Sequence, residues 1–241
     1  MNFRSALDRT LFLLSVPKCV CCKGRLDYGE LSLCPKCSAE FEEIKTRNCS
    51  RCSRILSECF CSTEFLSSHF VKGVVKCFRY DPREENLAAN GLIYSLKRDN
   101  RDDVLKRCTA ELCRAIENSL SPDNSFVVTN VPRRKGAIVK YGIDHSELLA
   151  KGVAVYFGIK YMKLLKSNAK SEQKTLTKDE RLHNTDFQLV SDDSLKGKSV
   201  IIIDDIITTG ASVASSATMI KSLRPKNIYS AVLGIAYRDD P

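Results

Sequence analysis

Residues 200–203 read Val-Ile-Ile-Ile, an unbroken β-branched run with no polar residue interleaved. A strand with one wet face alternates apolar and polar side chains, whereas a strand that does not alternate is covered on both faces. The run therefore predicts a central strand of a parallel sheet with helices on either side. Asp204 and Asp205 stand at its carboxyl end, followed by Thr208, Thr209, Gly210, Ala211 and Ser212. Apolar residues then recur at Val213, Ala217, Ile220 and Leu223, a spacing that suits a helix. The local order is strand, polar loop, helix, and the fold class it implies is α/β.

In an open α/β sheet, ligands bind beyond the carboxyl ends of the strands, and a loop entering a helix offers free backbone N–H groups to an anion. Gly210 permits a positive φ and close backbone approach, while Thr208, Thr209 and Ser212 add hydroxyl donors. Asp204 and Asp205 would repel a phosphate but can accept hydrogen bonds from a sugar diol. The segment reads as a site for a sugar phosphate with free hydroxyls. A hydrophobic strand ending in two carboxylates also fits a Walker B element, which requires a Walker A loop. The only Gly-Lys-Ser, at Gly197, Lys198 and Ser199, has Asp192 where the earlier glycine should be and precedes a strand instead of following one. An ordinary polar turn is the other alternative, and paired aspartates with a Thr-Thr-Gly turn argue against it.

The second constraint is cysteine spacing. Cys19 and Cys22, Cys34 and Cys37, and Cys49 and Cys52 are C-x2-C pairs, and Cys59 and Cys61 form a C-x-C pair. Each pair can sit on a tight knuckle and offer two thiolates to one tetrahedral ion, so four pairs suit two structural zinc sites. Sequence order assigns Cys19, Cys22, Cys34 and Cys37 to the first site and Cys49, Cys52, Cys59 and Cys61 to the second. Cys21 competes with Cys22 as a ligand of the first. The segment has too few apolar residues to fold without metal. Leu11 to Val16 is short and lacks a small-residue cleavage pattern, so no signal peptide is expected, and no apolar run is long enough to span a membrane. A cytoplasmic location follows as the expectation, and it favours metal over disulfides. Regular ribbon spacing disfavours an iron–sulfur cluster. Cys77, Cys108 and Cys113 read as packing or solvent thiols.

These features divide the chain into a zinc-ribbon segment, 1–65, and an α/β domain, 66–241. Residues 4–16 suit a short amphipathic helix. His69–Tyr80 alternates as a strand, Asn86–Lys97 and Asp102–Leu120 read as helices, and Lys97 at the end of the first reads as part of a solvated basic run with Arg98 and Arg101. Phe126–Val131 is a second buried strand, followed by Arg133, Arg134 and Lys135, cations that would face the same crevice as the phosphate loop and could bind a pyrophosphate. Asp144 and Glu147 suit a capping box for a helix through Tyr156, with His145 read as a solvent histidine. A short strand, Tyr161–Leu165, opens into a long polar stretch, 166–184, and Asn227–Tyr237 supplies a last strand. The net charge of +9 permits attraction to nucleic acid or another polyanion, while 7% aromatic content without Trp announces no dense base-stacking platform.

The segment VIIIDDIITTGAS resembles the phosphoribosyl pyrophosphate (PRPP) loop of type I phosphoribosyltransferases. That resemblance implies that Asp204 and Asp205 hold ribose hydroxyls, that Thr208, Thr209, Gly210, Ala211 and Ser212 wrap the 5′-phosphate, and that Arg133 and Arg134 serve pyrophosphate. The polar stretch 166–184 would then be a loop closing over the reacting centre. Taken with the cysteine knuckles, Leu-Lys at 97, Val-Pro-Arg-Arg at 131–134, Tyr-Gly-Ile-Asp-His-Ser-Glu-Leu-Leu-Ala at 141–150, Gln173, Glu180-Arg181 and Asn184, the chain resembles the ComF family along nearly its whole length. The resemblance implies a double zinc ribbon joined to a phosphoribosyltransferase-like domain, with magnesium carried by PRPP. It further implies a role in DNA uptake during natural competence, on single-stranded DNA and beside a helicase. The active-enzyme form of the same reading is pentosyl transfer from PRPP to an acceptor, for which no recognition element and no catalytic residue stand out.

Overall fold

The computed structural model describes residues 17–81, 83–84, 87–133, 138–139, 142–167 and 187–236. After the first cysteine knuckle come α1 (Pro35–Lys45), a 3-10 turn (Leu56–Glu58), α2 (Glu64–Ser68), β1 (Val71–Arg79), α3 (Ala88–Arg98), α4 (Asp102–Ser119) and β2 (Phe126–Asn130). They are followed by α5 (His145–Phe157), β3 (Lys160–Tyr161), β4 (Leu165–Ser167), β5 (Phe187–Leu189), β6 (Ser199–Ile207), α6 (Ala211–Lys221) and β7 (Asn227–Ile235). The helix expected over residues 4–16 lies outside the described residues.

Strands β1, β7, β6, β2 and β3 form one sheet in that order, every pairing parallel, with β6 at its centre. The period of two explains the unbroken apolar run. Ile201 and Ile203 point into a core shared with α4 and α5, whereas Val200 and Ile202 point into a second core shared with α6. The strand runs two turns of the pleat further than its apolar run suggested, through Asp204 and Asp205 to Ile207. Its pairing with β7 continues through Asp204↔Val232 and Ile207↔Ile235, so both aspartates are held by sheet backbone and not by a loop. The single strand expected over Tyr161–Leu165 is instead two short pieces: β3 pairs with β2, and β4 leaves to form an antiparallel ribbon with β5.

Each cysteine module packs on one face. Cys19, Val20, Leu26, Leu33, Cys37, Phe41 and Ile44 join the core of α4 and α5, and Phe41 meets Phe78 of β1 edge-to-face at 5.4 Å between ring centres. Cys49, Leu56, Cys59 and Leu66 join the core of α6. Strand β1 is a sheet edge, and the two modules pack on its opposite faces. Close contact holds the first module in place: a Cβ on Gly91 of α3 would lie 2.9 Å from the Val20 carbonyl oxygen and 3.0 Å from Cys21 Cα.

Replacing Gly91 by Ala should therefore lift the first cysteine knuckle off α3. We expect a loss of about 1–3 kcal/mol, the usual cost of overpacking, read as a lower urea midpoint with an unchanged m-value.

Candidate functional site

Strand order reverses between β2 and β6. From β2 the chain crosses through α5 to β3 on one side, and from β6 it crosses through α6 to β7 on the other. This switch point opens a crevice at the carboxyl ends of β2 and β6, where ligands of open α/β sheets bind. Asp204 and Asp205 sit at its floor. The Asp204 carboxylate accepts from Ser146 Oγ at 3.1 Å and from the Asp205 backbone N–H at 2.9 Å. Lys97 Nζ lies 3.1 Å from Asp205 Oδ2. Burial, and then the Asp205 charge, push the Asp204 carboxyl up to about 8. Lys97 is the cation that answers this pair of carboxyls.

Lys97 and His145 depart from the sequence reading. Lys97 was expected on a solvated helix end; α3 is aimed so that its last turn reaches across to Asp205. His145 was expected in solvent, yet it is 3% exposed, its imidazole held between Arg133 and Asn100. Asp144 Oδ1 accepts from Glu147 N at 3.1 Å, while the Glu147 carboxylate pairs with Lys151 and Lys163. His145 Nε2 lies 3.1 Å from Asn100 Oδ1 and so carries the proton, which leaves Nδ1 to accept from the Arg133 guanidinium at 2.6 Å. Burial and the Arg133 charge push His145 down to about 4. Arg133 also donates to the Ile143 carbonyl at 3.0 Å, and its backbone N–H to Asp144 Oδ2 at 3.0 Å. The guanidinium thus organises the turn before α5. Arg134, Lys135 and residues 168–184 of the polar stretch lie outside the described residues.

Gly210 precedes α6 with φ of 80°, a conformation a side chain resists, and no side chain caps the helix. Thr208, Thr209, Ala211 and Ser212 are exposed, and Thr209 Oγ1 accepts from Ala211 N at 3.3 Å. Beside the loop lies a cleft of about 330 Å³. Its walls are Thr208 and Thr209 on one side, Arg51, Ser62 and Thr63 of the second cysteine module on the other, and Lys76 of β1. A Cβ on Gly210 would lie 3.1 Å from Leu66 Cδ2, so α2 is seated directly on the phosphate loop.

The cysteine pairs form two clusters, Cys19 with Cys22, Cys34 and Cys37, and Cys49 with Cys52, Cys59 and Cys61. In each, all sulfurs lie within 4.8 Å of one another. Cys22 Sγ and Cys34 Sγ are 3.7 Å apart, and Cys52 Sγ and Cys59 Sγ 3.5 Å. These separations match the edge of a tetrahedron with metal–sulfur bonds of about 2.3 Å, and they far exceed a disulfide bond of about 2.05 Å. All twelve cysteines are free thiols. The donor sets fit two zinc ions. Burial raises the Cys19 thiol, but backbone N–H groups of Cys34, Cys22 and Cys21 outweigh it and bring the thiol down to about 7. Cys21 stands beside the first cluster, grouped with Cys37 and Glu40. Cys77 and Cys108 are buried, as is Cys113, and pack in the core shared with α4 and α5.

An open parallel α/β domain with a switch-point crevice and an anion loop defines the class. Within it, the family model described as the phosphoribosyl transferase domain matches residues 144–238, from the cap of α5 through β6, the loop and β7. The match agrees with the fold, a parallel-sheet α/β arrangement of the phosphoribosyltransferase type. No curated protein matches it. Among solved structures, the chain is similar to a purine phosphoribosyltransferase from Pyrococcus horikoshii Ot3 (18% identity, 55% of this chain and 73% of that one, TM-score 0.35). It is also similar to adenine phosphoribosyltransferase from Saccharomyces cerevisiae (15%, 57% and 71%, TM-score 0.39). A third is the glutamine PRPP amidotransferase of B. subtilis (16%, TM-score 0.41), of which it covers 30% with 58% of its own length. No helix among the described residues is long and apolar enough to cross a membrane.

Burial of neutral His145 sets a pH dependence. The unfolded chain protonates this histidine near its ordinary 6.5 and the folded chain only near 4, so between these values the unfolded state binds more protons. The contribution is complete above about pH 6.5 and is lost as pH falls toward 4, at most about 3 kcal/mol. Chemical denaturation across this range should show His145→Gln losing less stability than the wild type on acidification.

Proposed function

We propose that the chain is a cytoplasmic ComF-like protein that binds PRPP or a related sugar phosphate at this crevice and acts in the handling of single-stranded DNA during natural competence, beside a helicase. In this reading residues 1–65 are a double zinc ribbon and residues 66–241 the phosphoribosyltransferase-like domain. The observation that carries the ligand assignment is the pairing of Asp204 and Asp205 at the switch point with an uncapped helix start at Gly210. Diol acceptors and phosphate donors are thereby presented in line, as a ribose 5-phosphate requires.

Thr208, Thr209, Gly210, Ala211 and Ser212 take the 5′-phosphate through backbone N–H groups and hydroxyls. Asp204 and Asp205 accept from the ribose hydroxyls, and Lys97, already on Asp205, fixes the pair. Arg133 and Arg134 are assigned to the pyrophosphate by the family resemblance. Magnesium rides on the substrate, because a few carboxylates and substrate phosphates are its usual ligands, and it screens the pyrophosphate charge. The DNA role rests on the family resemblance and on a net charge of +9.

The second reading is that the site turns over. An acceptor would attack the ribose anomeric carbon as the bond to pyrophosphate breaks, and the electron pair would leave with pyrophosphate, stabilised by cations preplaced around it. A cavity continuous with the phosphate loop, walled by Arg51, Ser62 and Thr63, favours keeping this reading.

Isothermal titration of the zinc-loaded protein with PRPP and magnesium should show binding that the Asp204→Ala, Asp205→Ala variant loses by at least tenfold, about 1.4 kcal/mol. Equal affinity of the two proteins would remove the assignment. Binding to single-stranded DNA should weaken steeply with salt, and a flat salt response would remove the nucleic-acid part.

A further inference from the structure

Lys76 is a charged residue in the wrong place for a solvated strand. It stands on β1 at 2% exposure, among the largest fully buried side chains of the molecule. Its Nζ donates to the Cys61 carbonyl at 2.9 Å and to the Val74 carbonyl at 3.2 Å, and it reaches the Cys59 sulfur. Among the described residues no carboxylate forms an ion pair with it. Two neutral carbonyls take two of the three hydrogens of a buried ammonium and leave its charge uncompensated, which a protein interior tolerates badly.

The compensating charge is close by. Val74 and Lys76 lie on the same face of β1, and Val74 shares a core with Cys49 and Cys59. Four neutral thiols there would leave Lys76 unpaired. Four thiolates on one zinc ion make a dianion, which is equally hard to bury alone. We infer that Lys76 is the built-in counter-ion of a metal–tetrathiolate centre at Cys49, Cys52, Cys59 and Cys61, a positioning residue that ties this centre to the edge of the sheet. The first cluster is arranged differently: Lys23 at its knuckle is exposed and donates to the Val20 carbonyl at 2.9 Å. The two centres therefore differ in their surroundings: Cys22 of the first is exposed to solvent, whereas the second has an interior lysine against it.

The inference rests on the two-zinc reading and is independent of the sugar phosphate. Its test is metal release from the full-length, zinc-loaded chain under excess chelator, followed with a metallochromic dye, with total zinc counted by mass spectrometry. Lys76→Met should release one of two zinc ions about 10- to 100-fold faster, the usual effect of losing an outer-shell partner, with the other phase unchanged. Lys76→Arg should stay near the wild type, and Lys23→Met should leave the faster phase of Lys76→Met unreproduced. Wild-type release rates in Lys76→Met would overturn the inference, and a wild type holding zinc at the first cluster alone would overturn it together with the two-zinc reading. Because Lys76→Met itself could unfold, a second comparison uses a Cys59→Ser, Cys61→Ser background and urea denaturation. With the dianion gone, removing the lysine should cost nothing or stabilise. A loss of stability equal to that in the native background would show a role unrelated to the metal and overturn the inference.

Discussion

Burial of β6 on both faces is the constraint on which the molecule depends. Because Val200 and Ile202 need one core and Ile201 and Ile203 another, helices must lie above and below the sheet. Parallel pairing on both sides then forces long crossovers, and the reversal of their direction at β6 leaves a crevice at the strand's carboxyl end. The site is thus a by-product of topology. Residues with no role in ligand binding, the β-branched run above all, decide where the ligand-facing carboxylates come to rest.

Electrostatics at that place follow from the same burial. Two adjacent carboxylates at the end of a covered strand cannot both be ionised cheaply, so the Asp204 carboxyl is pushed up and Lys97 is set against Asp205. His145 is kept neutral by the guanidinium of Arg133 and by its own burial, and it passes a hydrogen bond on to Asn100. A chain of contacts therefore links the turn after β2 to the segment just after α3. The cysteine modules enter the same construction: one backs the core of α4 and α5, while the other seats Leu66 against Gly210 and walls the cleft beside the phosphate loop.

Much of this was legible in the chain. A β-branched run without alternation, four cysteine pairs and a Thr-Thr-Gly turn are local signals, and each corresponds to a feature of the structure: the central strand, the two four-sulfur clusters and the uncapped start of α6. What stayed hidden depends on how elements are aimed. Lys97 looks like any basic helix end until α3 is docked, and His145 looks like a solvent histidine until the start of α5 is docked between Arg133 and Asn100. Ser146 carries no signal at all, since a serine at the second position of a helix is ordinary, and only the crossing of α5 over β6 brings it to Asp204. The length of β6 was underestimated for a related reason. Aspartates are poor strand residues, and only the ladder with β7 holds Asp204 and Asp205 extended.

The raised Asp204 carboxyl has a thermodynamic consequence. A ligand or cation that needs both carboxylates ionised releases into the solvent whatever proton Asp204 holds. Association at neutral pH is then an exchange reaction: its apparent affinity climbs with pH up to about 8, and its measured heat contains the ionisation enthalpy of whichever buffer receives the proton. The medium's acidity thus competes with the ligand for the same oxygen atoms.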